Sequence, residues 1–252
     1  MNGPTILLNI NDLSVSYDGN KNVLNHISFH VKKGEFISLI GSSGCGKSTL
    51  LNGIAGFITP STGNILVNEN IVKKPGPDRG VVFQDLALFP WLNVIENVAF
   101  GLKLRGMNKT ERLERSADVI RLVSLQGYEY AKVSDLSGGM KQRVAIARTI
   151  VTEPEILLMD EPFSALDAQT RELLQDELMR IQEQTGMTVI LVTHSIDEAV
   201  YLSDRVLILQ KETGKIQNML DITLRRPRHP DNRVDLSFNE FKKQLMLELR
   251  KD

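Results

Sequence analysis

Cysteine is nearly missing from this chain: Cys45 stands alone, so no intrachain disulfide staples the fold and stability must come from a packed core. Apolar runs of the ~20 residues that cross a bilayer are also missing. The N-terminal stretch MNGPTILLNINDL has neither a basic region nor a cleavage site, and the expectation is a protein that stays in the cytoplasm. Nor is there an excess of either charge. Thirty Lys and Arg against 31 Asp and Glu leave a formal charge of −1, which excludes a general attraction to nucleic acid or anionic lipid. Any membrane role must then rest on specific docking. Heptad runs and basic stripes are absent as well. What remains is ordinary globular composition, 42% hydrophobic and 24% charged over 252 residues, enough for one large domain or a domain with a subdomain.

The informative stretch is EFISLIGSSGCGKSTLLNGIAG, residues 35 to 56. Phe36 to Ile40 reads as a short buried strand, Gly41 to Gly46 as a tight turn, and Lys47 to Ala55 as a helix with Leu50, Leu51 and Ile54 on its apolar face. The turn fits GxxxxGK[ST] at Gly41, Gly46, Lys47 and Ser48, with Ser42, Ser43, Gly44, Cys45 and Thr49 completing the loop. Glycine lets the backbone approach phosphate oxygens that a Cβ would hold away. Loop amides and the first helical turn then converge where the helix dipole favours negative charge. Lys47 is expected to neutralise β- and γ-phosphates and the Ser48 hydroxyl to ligate Mg²⁺. A nucleotide triphosphate is the ligand this pattern implies. For Cys45 a thiolate favoured at a helix N-terminus competes with a small residue that fits the turn; no chemistry is assigned to it.

Upstream, Ile6 to Ile10, Leu13 to Tyr17 and Ile27 to Val31 read as strands of an antiparallel edge sheet, with turns at Asp18-Gly19-Asn20 and Lys33-Gly34. Tyr17 is either a half-exposed strand aromatic or a platform for a purine ring, and the phosphate loop favours the platform. Downstream, Gly63 to Val67 and Arg79 to Phe83 are further strands. Gln84 leaves the second of them, where its amide oxygen can reach Mg²⁺ or the attacking water. The cluster Leu86, Leu88, Phe89, Trp91, Leu92 and Val94 that follows is either subdomain core or a docking surface.

Residues 95 to 153 read as helical. One helix opens on the Asn108/Glu111 pair and buries Leu113, Ala117, Ile120 and Val123. The next opens on Ser137-Gly138-Gly139, a second glycine-rich helix entry that repeats the anion-binding logic. ILLMDEP (156 to 162) is a buried strand ending in carboxylates: Asp160 to hold Mg²⁺ through its water shell, Glu161 to orient or deprotonate water. A long helix with Leu173, Leu174, Leu178 and Ile181 leads to the strand MTVILVT and to His194, placed at a sheet edge to contact a γ-phosphate. Val206 to Leu209 and a hairpin near Thr213-Gly214 finish the sheet. Residues 224 to 234 are expected to be extended, and Ser237 with Glu240 to cap a closing helix carrying Phe238, Phe241, Leu245 and Leu249.

In this order the motifs resemble the ATP-binding subunit of ABC transporters over nearly the whole chain: Tyr17, GSSGCGKST at 41 to 49, Gln84, LSGGMKQR at 136 to 143, ILLMDEP, SALD at 164 to 167 and His194. The resemblance implies an α/β fold: a P-loop NTPase core with a mostly parallel sheet, an N-terminal antiparallel β subdomain and an inserted α-helical signature subdomain (about 86 to 153). It implies one ATPase domain over 1 to 252, with a tail from about 221 and no separate regulatory domain. It further implies ATP and Mg²⁺ as cofactors and a head-to-tail pair with a copy or close relative, in which Ser137-Gly138-Gly139 of one subunit cap the nucleotide of the other. Transmembrane permease subunits are expected to dock near Phe89 and Trp91 at the cytoplasmic face of the membrane, with an extracytoplasmic solute-binding protein acting indirectly. FPWLNVIENVAFGL and the short tail resemble the nitrate, sulfonate and taurine importer group. An exporter or lipoprotein-release motor is the alternative within transport. An ABC ATPase acting on nucleic acid or ribosomes and a small-molecule kinase are the alternatives outside it.

Overall fold

The computed structural model describes residues 5–17 and 21–251; the turn expected at Asp18-Gly19-Asn20 lies outside them. The chain forms two compact units, Met1–Gly76 with Gly186–Asp252, and Pro77–Thr185. The first unit begins with β1 (Ile6–Ser16), β2 (Asn22–Lys32), β3 (Phe36–Ile40), α1 (Lys47–Ala55), β4 (Thr62–Val67) and β5 (Asn70–Ile71). The second holds β6 (Arg79–Val82), α2 (Val94–Leu104), α3 (Lys109–Leu122), α4 (Gly138–Ile150), β7 (Ile156–Asp160) and α5 (Ala168–Thr185). The chain then returns to the first unit with β8 (Thr188–Val192), α6 (Ile196–Leu202), β9 (Arg205–Leu209), β10 (Ile216–Asp221) and α7 (Leu236–Leu249).

Two sheets organise the first unit. One is antiparallel, in the order β2-β1-β4-β5. Its β1 is one strand where the sequence suggests two. Asp12 takes a left-handed backbone (φ 50°) and its N–H donates to Ser28 Oγ at 2.9 Å. The register with β2 shifts between Ile10 and Leu13, so a bulge absorbs the break in alternation. The other sheet runs β10-β9-β3-β8 in this unit, with β3 parallel to both β8 and β9. All five residues of β3 and of β8 are buried, as continuous apolar runs must be when both faces of a parallel sheet are covered.

In the second unit β6 and β7 pair in parallel and the helices α2, α3 and α4 pack on one another. α2 carries a complete capping box that the sequence reading did not single out: Asn93 Oδ1 accepts from Glu96 N (2.9 Å) and Glu96 Oε2 from Asn93 N (3.1 Å). In α3 the expected cap holds, with Asn108 Oδ1 accepting from Glu111 N at 2.9 Å. Its buried side is Ser116, Ile120 and then Val123, while Leu113 and Ala117 are half-buried. Ser116 is tolerated there because its hydroxyl donates to Arg112 O. In α5 Leu174, Leu178 and Ile181 are buried, but Leu173 is 57% exposed.

The tail departs from its expectation at two points. Pro230–Val234 is a 3₁₀ turn rather than extended chain, closed by the His229 N–H donating to Asn232 Oδ1 at 2.7 Å. α7 starts two residues earlier than an N-cap at Ser237 requires, behind Asp235 and with no side-chain cap. Phe238 and Leu245 are buried, as the apolar spacing predicts.

Candidate functional site

The phosphate-loop residues lie where the sequence puts them, between the end of β3 and the start of α1. Gly46, at the N-cap of α1, has φ 104°, and a Cβ there would sit 2.7 Å from Leu24 Cδ2 and 3.2 Å from Val23 O. At Gly41 (φ 152°) a Cβ would meet Leu209 O at 2.4 Å. The glycines are therefore demanded by the chain's own β2 and β9, a reason additional to the close approach of a ligand. Val23 O is also within 2.5 Å of the Cβ position of Gly214, and Asn25 N–H donates to Gly214 O at 2.8 Å. The start of β2 is thus packed against both the loop and the β9–β10 hairpin.

A triphosphate fits this loop on two counts. No acidic residue occupies the first turn of α1, whose leading amides have no intrahelical acceptors and whose dipole favours an anion. Lys47 is only 7% exposed, and its ammonium is gathered on the loop by Gly41 O (2.8 Å) and Ser42 O (3.1 Å). Ser42, Ser43, Gly44 and Ser48 are exposed, so their polar groups can reach a ligand. Cys45 is buried (1%), with Sγ 3.8 Å from Lys47 Nζ, which is the small packed residue of the plainer reading.

Tyr17 and His194 belong to the same unit as the loop. The Tyr17 hydroxyl is 3.1 Å from Thr49 Oγ1, so the ring is moored to the first turn of α1 while remaining 66% exposed. Thr49 itself is largely buried and spends its hydroxyl on Tyr17. His194 follows β8, whose Val192 is in register with Leu39 of β3. Thr193 N–H donates to Leu39 O at 3.2 Å, which brings His194 to the sheet edge that carries the phosphate loop. Its position is fixed by Thr193 together with Ser195 and Glu198, which the sequence reading takes only as the entry to a helix. Thr193 Oγ1 donates to Glu198 Oε2 at 2.5 Å and accepts from Ser195 N at 3.0 Å. Ser195 Oγ accepts from Glu198 N at 3.3 Å; the Ser195-x-x-Glu198 spacing was the available signal.

In the other unit, Val82 and Met159 are in register across β6 and β7, which carries Gln84 and the pair Asp160-Glu161 to one strand edge. Gln84 is exposed and the two carboxylates are half-buried. Glu161 has a left-handed backbone (φ 45°), strained for a residue other than glycine. The turn is closed by Ser164, whose N–H (3.2 Å) and Oγ (2.9 Å) both donate to Glu161 O. Ser137 caps α4, its Oγ accepting from Met140 N at 3.3 Å. Ser137 and Gly138 are exposed, so this helix start is also open to an anion. Unlike the first loop, Gly138 and Gly139 have ordinary helical backbone. Gly139 is required by packing, since a Cβ would lie 2.6 Å from Thr170 Cγ2. Asp167 Oδ1 accepts from Thr170 N at 3.0 Å, and the backbone bond from Thr170 holds the Asp167 carboxyl below its ordinary range.

Of the aromatic cluster, Trp91 is exposed, Leu86, Leu88, Phe89 and Leu92 are half-buried, and Val94 is buried. Phe89 contacts Phe100 (ring centroids 4.4 Å) and Trp91 (5.6 Å), and Trp91 is 76% exposed. Trp91, Phe100 and Tyr130, with Lys103, Lys109 and Arg112, line a groove of about 470 Å³. Among the described residues no helix is long and apolar enough to cross a membrane.

Comparison with known proteins agrees with this geometry. The ABC transporter family matches residues 24–164. An uncharacterized ABC transporter ATP-binding protein of Methanocaldococcus jannaschii, MJ0412, is 48% identical over 244 residues, covering 96% of this chain and 90% of that protein. The taurine import ATP-binding protein TauB of Burkholderia pseudomallei is 51% identical over 193 residues, 77% of this chain and 74% of that one. Among solved structures, cbiO1 of Clostridium perfringens, part of the ABC transporter complex cbiONQ, superposes with a TM-score of 0.82 at 27% identity, covering 98% of this chain and 96% of that one. The ATP-binding cassette MJ0796, a dimer in a post-hydrolysis state bound to ADP and Pi, gives 0.75 at 31% identity, covering 87% of this chain and all of that one. Family, relatives and fold converge, and the chain belongs to the ATP-binding subunits of the ABC transporter family, which are ATPases.

Proposed function

We propose that this chain is the motor subunit of an importer for a small sulfonate-like or related anionic solute. It would work as a head-to-tail pair at the cytoplasmic face of a membrane. The observation that carries the ATPase half is the loop itself, with left-handed Gly46 opening α1 and the Lys47 ammonium gathered at its mouth. The import half is supported by the 51% identity to a taurine import ATP-binding protein, and pairing by the dimeric cassette.

In this reading Tyr17 stacks the base and the loop from Gly41 to Thr49 holds the phosphates, with Lys47 neutralising them. Ser48, Gln84 and Asp160 hold Mg²⁺, which supplies Lewis-acid charge neutralisation when bound. Hydroxyl, amide and carboxylate oxygens are the donors this hard cation takes beside phosphate. Glu161 takes the proton of the attacking water, its backbone pinned by Ser164, and His194 steadies the γ-phosphate from its Thr193–Glu198 turn. Ser137, Gly138 and Gly139 of one subunit close over the nucleotide held by the other. Phe89 and Trp91 receive the transmembrane permease subunits, through which an extracytoplasmic binding protein delivers solute. Nucleic acid has no place in the cycle.

The test is Glu161→Gln. It should bind ATP as the parent does, lose about 10²–10⁴-fold in turnover, and form a dimer with MgATP by light scattering. Turnover within a few-fold of the parent would remove Glu161 from the role of base. A variant that stays monomeric at saturating MgATP would overturn the shared pocket.

A further inference from the structure

Gln84 and the Phe89–Trp91 surface are joined by a short segment whose backbone is unusual. Leu86 (φ 60°) and Ala87 (φ 45°) are consecutive residues with left-handed backbone, and neither is glycine. For L-residues this conformation is rare even singly. The Ala87 N–H donates to Asp85 O at 2.7 Å, a three-residue turn centred on Leu86, and the Leu86 and Ala87 carbonyls beside it are acceptors that a cation can hold. Such a cation is present. Arg148 of α4 donates from Nη2 to Leu86 O at 2.7 Å and from Nη1 to Ala87 O at 2.5 Å. The same guanidinium lies over the Phe89 ring, 5.4 Å from its centroid, a cation–π contact. Burial lowers the Arg148 pKa from its ordinary value, and the charge of Asp85 acts in the opposite direction.

Phe89 is held from a second side. Asn97, wholly buried in α2, accepts from Phe89 N at 2.9 Å and donates to Phe89 O at 3.1 Å. The strained turn therefore has a fixed far end and a single cationic clamp at its middle.

We propose that Arg148 is a positioning residue: its planar fork latches the segment from Gln84 to Trp91 in the strained conformation, so that Gln84 and the docking aromatics are set together by one guanidinium on the helix that Ser137 caps. The claim rests on the roles given above to Gln84 and to Phe89–Trp91. The latch itself is a statement about the segment and is read separately. Lysine retains the charge and can reach a carbonyl, but it lacks the planar fork that holds two carbonyls along one edge while its flat face lies over the Phe89 ring.

Purified full-length Arg148→Lys and Arg148→Gln proteins test it. Amide exchange in residues 86–89 should quicken by about 10-fold or more as the segment opens locally, while exchange within α2 stays as in the parent. The emission of Trp91, the chain's one tryptophan, should shift. ATP affinity, measured with a fluorescent nucleotide, should remain within about two-fold while kcat falls about ten-fold, the split expected when a group acts beyond ground-state binding. Parental exchange at 86–89 in both variants would overturn the latch, as would faster exchange in α2 by the same factor, which marks general loosening. Gln84→Ala separates the two layers. If its kcat is unchanged while the Arg148 variants still open the segment, the latch stands and the role given to Gln84 fails.

Discussion

Replacing Asn97 with alanine is the sharpest probe of how the segment from Phe89 to Asn93 is held. Asn97 is fully buried and serves four backbone groups: Phe89 N, Phe89 O, Leu92 O and Asn93 O, at 2.9 to 3.1 Å. Two keep another partner after truncation, since Phe89 O also accepts from Leu92 N and Asn93 O from Asn97 N. Phe89 N–H and Leu92 O lose what the side chain gave them. At about 1–3 kcal/mol for each polar group left unsatisfied, the expected loss is about 3 kcal/mol. For a chain of this size that corresponds to a fall in Tm of roughly 6–12 °C. The assay is urea unfolding followed by far-UV circular dichroism, with Trp91 emission recorded in parallel. Asn97→Asp should be at least as damaging at pH 7, because it retains an acceptor for Phe89 N–H but turns a carboxylate toward three carbonyls. It should recover in part at acid pH, where the carboxyl regains a donor. An Asn97→Ala protein within about 0.5 kcal/mol of the parent and with unchanged Trp91 emission would refute the accounting.

Two further perturbations follow from the geometry. Gly46→Ala places a methyl 2.7 Å from Leu24 Cδ2 at a φ of 104°; the fold should survive with about 2 kcal/mol lost to strain, and ATP affinity should drop at least ten-fold in a nucleotide titration. Glu177, between Arg143 (2.9 Å) and Arg180 (3.7 Å), has a carboxyl that burial raises above its ordinary 4.5. Its folded state binds the proton more tightly, so this contribution to stability is full below pH 4.5 and is lost as pH rises through the raised value. The stability gap between the parent and Glu177→Gln, read from urea midpoints at pH 7 and pH 5, should therefore move in favour of the parent at the lower pH.

How far these features could be read from residues alone depended on whether their signal was local. β3 and α1 were legible to the residue, because a five-residue apolar run, two glycines and a helical repeat follow one another without interruption. The same held for Asp160 at the end of an apolar strand and for Asn108 ahead of α3. Features that depend on distant partners were not legible. Asn97 is a polar residue in an apolar stretch, and only its four backbone partners explain it. Arg148 looks like one more cation on an amphipathic helix until the paired carbonyls, sixty-one and sixty-two positions away in sequence, come into view. Ser237 misled because its spacing to Glu240 satisfies a capping box, yet the helix begins two residues sooner behind Asp235. Leu173 misled because periodicity cannot say where an apolar stripe ends.

The start of β2, wedged between Gly46 and Gly214, also determines a length. The antiparallel sheet bears the Tyr17 ring, α1 bears the phosphate cradle, and the Tyr17–Thr49 contact ties one to the other. That contact fixes the ring beside the cradle, so the scaffold behaves as a calliper of set span. On the proposed reading the ring takes the base and the cradle takes the phosphates, so a nucleotide engages both. Polyphosphate, which carries no base for the ring, should gain only the cradle's share of the binding energy.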